Sequence, residues 1–192
     1  MTTSHRFVNS PLGPIRLGAD SSGRLTEVCI EAGRSPRHGT EPEPEPEPEG
    51  ARQLDDDAGD AVGEVLADAA AQLDEYFTGT RTSFDLPLAM EGSSFQRQVW
   101  AQLQQIPFGT TVSYAQLAVA LGGSGAARAV GHANARNPIP IIVPCHRVIG
   151  SSGQLTGYGG GLKAKRFLLD LEARETPSGC DRDGEPRIQS SV

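Results

Sequence analysis

The segment Pro144-Cys145-His146-Arg147 places an imidazole and a guanidinium directly after a thiol. A cysteine attacks as its thiolate, and neighbouring cationic or basic groups lower the pKa of the thiol toward that form. The alternative is that Cys145 is a small core residue, which is the usual role of a lone intracellular cysteine. The residue types alone leave both interpretations open, and the flanking segments favour the nucleophile.

Those flanking segments predict how Cys145 is presented. A short apolar run, residues 139–143, precedes it, and Val148-Ile149-Gly150 and a glycine-rich stretch follow it. This pattern predicts a buried extended segment that delivers the cysteine to a turn. Adjacent side chains of an extended segment point to opposite sides, so the direct Cys145–His146 hydrogen bond of a cysteine protease is not expected.

Length and cysteine usage bound the class of protein. A chain of 192 residues fits one domain or two small ones, and either can bury a core. Its three cysteines, Cys29, Cys145 and Cys180, have no paired spacing, which favours a reducing compartment over a disulfide framework. The sequence has no apolar run of bilayer length and no secretory signal, so we expect a cytoplasmic protein without membrane contact.

Charge is distributed unevenly along the chain. The whole chain carries −7, but residues 91–172 hold seven Lys or Arg against three acids, so this segment is +4 and the remainder −11. Such asymmetry indicates an anionic partner for the positive half, although a solvated surface would carry the same charge.

The first half predicts a scaffold without catalytic residues. Residues 7–31 form strand-like runs separated by turns, which predicts a hairpin, and residues 58–77 have apolar residues at helical spacing up to a stop at Gly79. The spacing of Cys29, His5 and His38 matches no zinc-ligand pattern, so no metal site is expected.

Glutamate alternates with proline from Glu41 to Glu49. Repeated prolines deny helix hydrogen bonds and the glutamates repel one another, which predicts a disordered loop at about 35–56. The alternative for this segment is an acidic docking element.

The second half predicts short helices with tight turns. Ser94 is expected to cap a helix over 95–105, and Ser113 a helix over 114–121. A glycine-bearing turn and a helix over 126–136 follow, which makes a helix-turn-helix, although any helical hairpin has a similar pattern. The last of these helices is almost free of bulky side chains, with Arg128 in its first turn. Its small residues favour either tight packing on a neighbouring helix or insertion into a DNA duplex.

The hexapeptide from Pro144 to Ile149, with Asn137-Pro138 before it and Gly157-Tyr158-Gly159-Gly160-Gly161 after it, resembles the methylated-DNA–protein-cysteine alkyltransferases. The resemblance covers residues from about 7 to 172. It implies an α+β fold, with a ribonuclease H-like N-terminal α/β domain containing an antiparallel sheet at 1–90. A mainly helical winged helix-turn-helix domain at 91–175 completes it. The tail at 176–192 matches no family pattern, and we expect it to be disordered.

The resemblance also implies catalytic roles. Cys145 is similar to the alkyl acceptor, and His146 to the base that reaches the thiol through water. Glu172 resembles the carboxylate that orients this base. Asn137 resembles the residue that braces the turn before the active-site segment, and a helix C-cap beside Pro138 is an alternative role.

For DNA binding, Arg128 resembles the arginine finger of the family, whose side chain fills the gap left by a flipped base. Tyr114 resembles the residue that crowds the phosphate of the flipped nucleotide and contacts its base. Base extrusion is needed because a thiol cannot reach the alkyl carbon inside a stacked duplex. The helix-turn-helix of the family lies in the minor groove, which implies little sequence specificity. The remaining implied contacts with DNA or the base are Ala127, Gly131, Val148, Tyr158, Gly159 and Gly160.

The implied function is DNA repair: irreversible transfer of methyl or other alkyl groups from O6 of guanine onto Cys145, with O4 of thymine as a further candidate. The protein would act once, as a monomer on double-stranded DNA, with no cofactor. Two rivals remain: a non-repairing module that binds alkylated DNA, which would lack the acceptor cysteine, and a small cysteine hydrolase, which would leave the recognition helix unexplained.

Overall fold

A computed structural model describes residues 4–31, 60–123 and 125–175. The Glu-Pro segment at 35–56, the tail at 176–192 and His38 lie outside these residues. The fold of the described part is α+β, as predicted. Its strands are β1 (Ser4–Val8), β2 (Ile15–Ala19), β3 (Leu25–Ile30), β4 (Val112–Ser113) and β5 (Val148–Ile149); its α-helices are α1 (Asp60–Phe77), α2 (Ser94–Leu103), α3 (Tyr114–Ala120), α4 (Ala127–Asn134) and α5 (Gly161–Glu175).

The N-terminal part is a three-stranded antiparallel sheet in the order β1-β2-β3, covered by α1. The strand-like runs in the sequence were therefore placed correctly, but they form a three-stranded meander rather than a single hairpin. Helix α1 buries one apolar stripe because its apolar residues recur at helical spacing. That stripe comprises Val62, Val65, Leu66, Ala69, Leu73 and Tyr76. Gly79, with φ of +78°, follows the helix as predicted.

The C-terminal part is mainly helical. Ser93, not Ser94, caps α2: its side chain accepts from Gln96 N–H while the Gln96 side chain accepts from Ser93 N–H. The prediction was one residue too late because two adjacent serines both fit a cap. Ser113 caps α3 in the same reciprocal way, as predicted. Helix α4 follows α3 as expected, and no side-chain hydrogen bond caps its start.

The segment before Cys145 is not extended, which corrects the sequence-based prediction. Ile141 has φ of +76°, Val143 N–H donates to Ile139 O, and Cys145–Arg147 form a short 3₁₀ helix. A β-branched residue at positive φ is strained and is held only by its surroundings, here a fully buried site. Prolines in this run restrict φ but permit turns, so they do not by themselves impose an extended chain.

A backbone hydrogen bond joins the sheet to the second half of the chain, since Val28 N–H donates to Pro138 O over 2.9 Å. Within the N-terminal part, Leu25 exchanges hydrogen bonds with the segment around Leu88. Strand β3 therefore touches the loop that leads into the cysteine segment. Among the described residues, no helix is long and apolar enough to span a bilayer.

Candidate active site

Cys145 begins the 3₁₀ helix and is 3% exposed. Burial raises the pKa of its thiol. A hydrogen bond with the Asn137 side chain, the charge of Lys165 and the backbone amides of Cys145 and His146 all act in the opposite direction. Burial outweighs these opposing effects. A reaction at this sulfur needs a group that accepts its proton.

Asn137 holds the turn that carries the cysteine. Its Nδ2 donates to Val143 O over 2.8 Å, and its Oδ1 accepts from Ile139 N–H over 3.0 Å. The side chain thus satisfies the backbone on both sides of the strained Ile141 and also reaches the thiol. Asn137 contributes more than a helix cap to this segment.

Glu172 lies at the centre of the site, on the buried face of α5. Its Oε1 lies 2.8 Å from His146 Nε2, and Arg147 donates from Nε to Oε2 over 2.9 Å and from Nη2 to Oε1 over 2.8 Å. Gly109 N–H and the Tyr76 hydroxyl also donate to this carboxylate. Such a buried charge persists because every lone pair is matched by a donor.

Burial alone would raise the pKa of Glu172, but hydrogen bonds from His146 and Arg147, together with the guanidinium charge, outweigh it and lower the pKa to about 2. A carboxyl whose folded pKa lies below its unfolded value stabilises the fold above the unfolded pKa, and this stabilisation is lost as pH falls through the folded pKa.

We therefore expect the pH-dependent advantage of the native protein over Glu172→Gln to reach about 3 kcal/mol in free energy of unfolding at neutral pH. It should disappear progressively between about pH 5 and pH 2. Urea titrations of both proteins at a series of pH values measure this. A difference between them that is constant with pH would contradict the ion-pair assignment.

His146 is fully buried between this carboxylate and the Tyr158 ring, whose centroid lies 6.4 Å from the imidazole centroid. Burial lowers the pKa of His146, against the opposing effect of Glu172, so the neutral form is favoured. With Nε2 donating to the ionised Glu172, Nδ1 is left as an acceptor. Nδ1 has no hydrogen-bond partner within the described part of the chain. The ring is thus oriented as a base.

Tyr114 starts α3 and forms another edge of the site. Its hydroxyl donates to Thr156 O over 3.3 Å and lies 3.5 Å from Asn134 Nδ2, which is itself 3.4 Å from Cys145 O. Gly131 packs on the Tyr114 ring: a Cβ built there would lie 3.7 Å from the ring carbons. Helices α3 and α4 are thereby connected to the cysteine.

The glycine-rich stretch forms the remaining wall. Tyr158 has a buried hydroxyl without a partner among the described residues, and Val148 O accepts from Lys165 Nζ over 2.6 Å. Gly160 is buried, and a Cβ built there would lie 2.7 Å from Ile30 Cδ1, so Ile30 would have to shift, whereas a Cβ at Gly159 would meet nothing within 4 Å. Position 159 thus has space for a larger residue.

The structure does not bring every predicted residue into this cluster. Arg128 lies exposed near the start of α4, beside the half-buried Ala127. This placement fits a residue that meets a partner from outside rather than one that takes part in the chemistry.

Four residues of the site were not predicted as functional from the sequence: Tyr76, Asn134, Arg147 and Lys165. Lys165 and Glu172 share a buried helix face with Ala164 and Leu168, so two charged residues at apolar positions are the signal that was available. Arg147 lies two positions after Cys145 but was not assigned a partner. Tyr76 and Asn134 lie on helical core positions that also suit ordinary packing.

These contacts describe a buried thiol beside an oriented imidazole, with unpartnered polar atoms from Asn134, His146 and Tyr158 around it. The arrangement suits a nucleophilic reaction at the Cys145 sulfur. No group of three or more His, Cys, Asp or Glu side chains with metal-binding geometry occurs among the residues that the structure describes.

Comparison with known proteins agrees with this chemistry. Residues 4–90 match the ribonuclease-like domain, and residues 94–174 the DNA-binding domain, of 6-O-methylguanine DNA methyltransferase. The chain is 45% identical to the methylated-DNA–protein-cysteine methyltransferase of Methanosarcina acetivorans over 88% of its length and 97% of the relative's. The Mycobacterium leprae protein of that name is also 45% identical, over 88% and 92%.

Solved structures agree. The O6-methylguanine methyltransferase of Mycobacterium tuberculosis matches with a TM-score of 0.71 and 39% identity, over 92% of this chain and 96% of that one. OGT of the same organism in complex with DNA has the same TM-score and 44% identity, over 91% and 95%. This chain belongs to the methylated-DNA–protein-cysteine methyltransferase family.

Proposed function

We propose that this protein repairs DNA by transferring a methyl or other alkyl group from O6 of guanine irreversibly onto its own Cys145. The observation that carries this proposal is the buried thiol beside a neutral, carboxylate-oriented imidazole, in a chain whose second half is similar to a DNA-binding domain. A hydrolase would need a site that releases its product. Here the product is a thioether on a buried sulfur.

In the proposed reaction the Cys145 thiol gives its proton to His146 Nδ1 through an intervening water. The sulfur then forms a bond to the alkyl carbon as the bond between this carbon and O6 breaks. The electron pair of that bond leaves with guanine, and proton donors around the base neutralise it. Tyr114 is our candidate donor, because its hydroxyl lies at the edge of the site. Each molecule acts once, without a cofactor.

The DNA side of the proposal is double-stranded DNA bound by a monomer through the minor groove, in the cytoplasm. Helix α4 would enter the groove because its small residues, among them Ala127 and Gly131, permit close approach. Arg128 would occupy the space left by the flipped base. Tyr158, Val148, Gly159 and Gly160 would line the base pocket, and glycines there allow the backbone to approach a planar ring.

A mass spectrum after incubation with O6-methylguanine DNA tests the proposal. We expect one added methyl group per molecule, located on the peptide that contains Cys145. No adduct would indicate a module that only binds alkylated DNA. Repaired DNA in excess over protein, with unmodified protein recovered, would indicate a hydrolase.

His146→Ala should slow transfer without abolishing it, because His146 accepts the proton but forms no bond to carbon. General-base contributions are typically about 10²- to 10⁴-fold. We expect the apparent pKa of the thiol to rise in the pH profile of reaction with O6-benzylguanine. An unshifted profile would contradict the proposed proton transfer from Cys145 to His146. His132→Ala, at an exposed position on α4, is the matched control.

A further inference from the structure

The carboxylate of Glu172 receives a hydrogen bond from the N-terminal half of the chain. The hydroxyl of Tyr76, near the end of α1, donates to Glu172 Oε1 over 2.8 Å. The same oxygen lies 2.8 Å from His146 Nε2. Tyr76 is fully buried and Glu172 is 1% exposed, so water does not compete for this contact.

The direction of this hydrogen bond is fixed by charge. Glu172 is ionised and can only accept, so the Tyr76 hydroxyl must donate. Burial and the nearby carboxylate charge both raise the pKa of Tyr76, which keeps its proton in place. A donor to a carboxylate in a dry site is a strong, charge-assisted contact.

The Tyr76 ring is held firmly. It packs against Phe77, Phe84 and Phe108, with ring centroids 5.6, 5.4 and 6.1 Å away. A side chain fixed by three aromatic neighbours has few alternative positions, and its hydroxyl therefore fixes one oxygen of the carboxylate. None of these aromatic contacts requires a hydroxyl, and a phenylalanine at position 76 would provide the same packing.

We propose that Tyr76 is a positioning residue through which the N-terminal half aligns Glu172 with the imidazole of His146. This proposal rests on the proposed function. Arg147 competes with His146 for the Glu172 carboxylate, since its guanidinium donates to both carboxylate oxygens. The guanidinium is itself fixed by a hydrogen bond to Ile106 O. The hydrogen bond from the Tyr76 hydroxyl opposes this attraction toward Arg147 and keeps Oε1 directed at His146. Without it, the carboxylate moves toward Arg147 and the imidazole becomes a weaker base.

Besides Glu172, Arg147 and Lys165 act on the charge of His146, and the Tyr158 ring packs against its imidazole. These residues belong to the C-terminal part. Tyr76 adds a contribution from the N-terminal part to the basicity of His146, and it acts through Glu172.

The variant Tyr76→Phe tests this proposal, because it removes only the hydroxyl. We expect reaction with free O6-benzylguanine to slow by about tenfold, the order expected when one hydrogen bond to a charged group is lost. In a Glu172→Gln background the same change should alter the rate by less than about twofold, since the two residues act as one unit. Equal effects in both backgrounds would overturn the proposal.

A second measurement needs no substrate. The proton resonance of His146 Nε2 should move upfield in Tyr76→Phe, because its hydrogen bond to Oε1 lengthens. Two control variants leave the Tyr76 hydroxyl in place. Phe84→Leu changes only the packing around Tyr76, and Thr26→Val removes a hydroxyl that bonds Gly18 O within the sheet.

An unmoved resonance in Tyr76→Phe, or an equal shift in Phe84→Leu, would show that Tyr76 only packs. Failure of the two proposals is distinguishable. If the native protein does not accept an alkyl group but the resonance still moves in Tyr76→Phe, the proposed function is wrong and the positioning role stands. If the native protein reacts and the resonance does not move, the positioning role is wrong.

Discussion

Replacement of Cys145 by alanine is expected to abolish methyl transfer while binding to methylated duplex DNA persists. Alanine removes the only atom in the proposal that bonds to the alkyl carbon. The exposed face of α4 and Arg128 remain, so the contacts proposed for DNA are not lost. The measurement combines intact-protein mass after incubation with O6-methylguanine DNA and a binding titration with the same duplex.

Cys29→Ala is the matched control, since Cys29 lies on β3 in the N-terminal sheet. It should accept one methyl group at the native rate. Methyl transfer at the normal rate by Cys145→Ala, or loss of transfer in a folded Cys29→Ala, would contradict the assignment of Cys145 as the alkyl acceptor.

Arg128→Ala is expected to slow repair of duplex DNA by about 10²-fold while reaction with free O6-benzylguanine changes little. Extruding a paired base costs a few kcal/mol, and an intruding side chain offsets part of that cost. Losing about 2.7 kcal/mol of this offset corresponds to a factor of 100 in rate. The free base needs no extrusion, so it bypasses the step in which Arg128 is proposed to act.

Single-turnover rates on both substrates measure this effect. Arg136→Ala is the matched control, because Arg136 is also exposed and lies just beyond the end of α4. It should reduce duplex binding only modestly and equally for damaged and undamaged DNA. Equal losses on duplex and free base for Arg128→Ala would show that this arginine serves folding or general positioning.

The elements that the sequence predicted well are those controlled by local rules. Ser113 was predicted to cap α3 because serine is a favoured residue at a helix N-cap, and the helix begins as expected. Apolar periodicity likewise identified α1 within two residues at its start.

The path of the chain into Cys145 was mispredicted because it depends on distant partners. Ile141 adopts a positive φ that its residue type disfavours, and the side chain of Asn137 and the surrounding core hold it there. No local pattern signals such a conformation. The contact of Glu172 with His146 was predicted, but its contact with Tyr76 was missed for a similar reason: Tyr76 and Glu172 are 96 positions apart.

The donor set of Glu172 also bears on how the protein opens. The carboxylate on α5 binds α1 through Tyr76, the loop after α2 through Gly109, and the 3₁₀ helix through His146 and Arg147. Partial unfolding of any one of these segments would strand a buried charge without its partners, at a cost of several kcal/mol. Amide hydrogens around the site should therefore exchange only through cooperative, near-global unfolding rather than through local fraying.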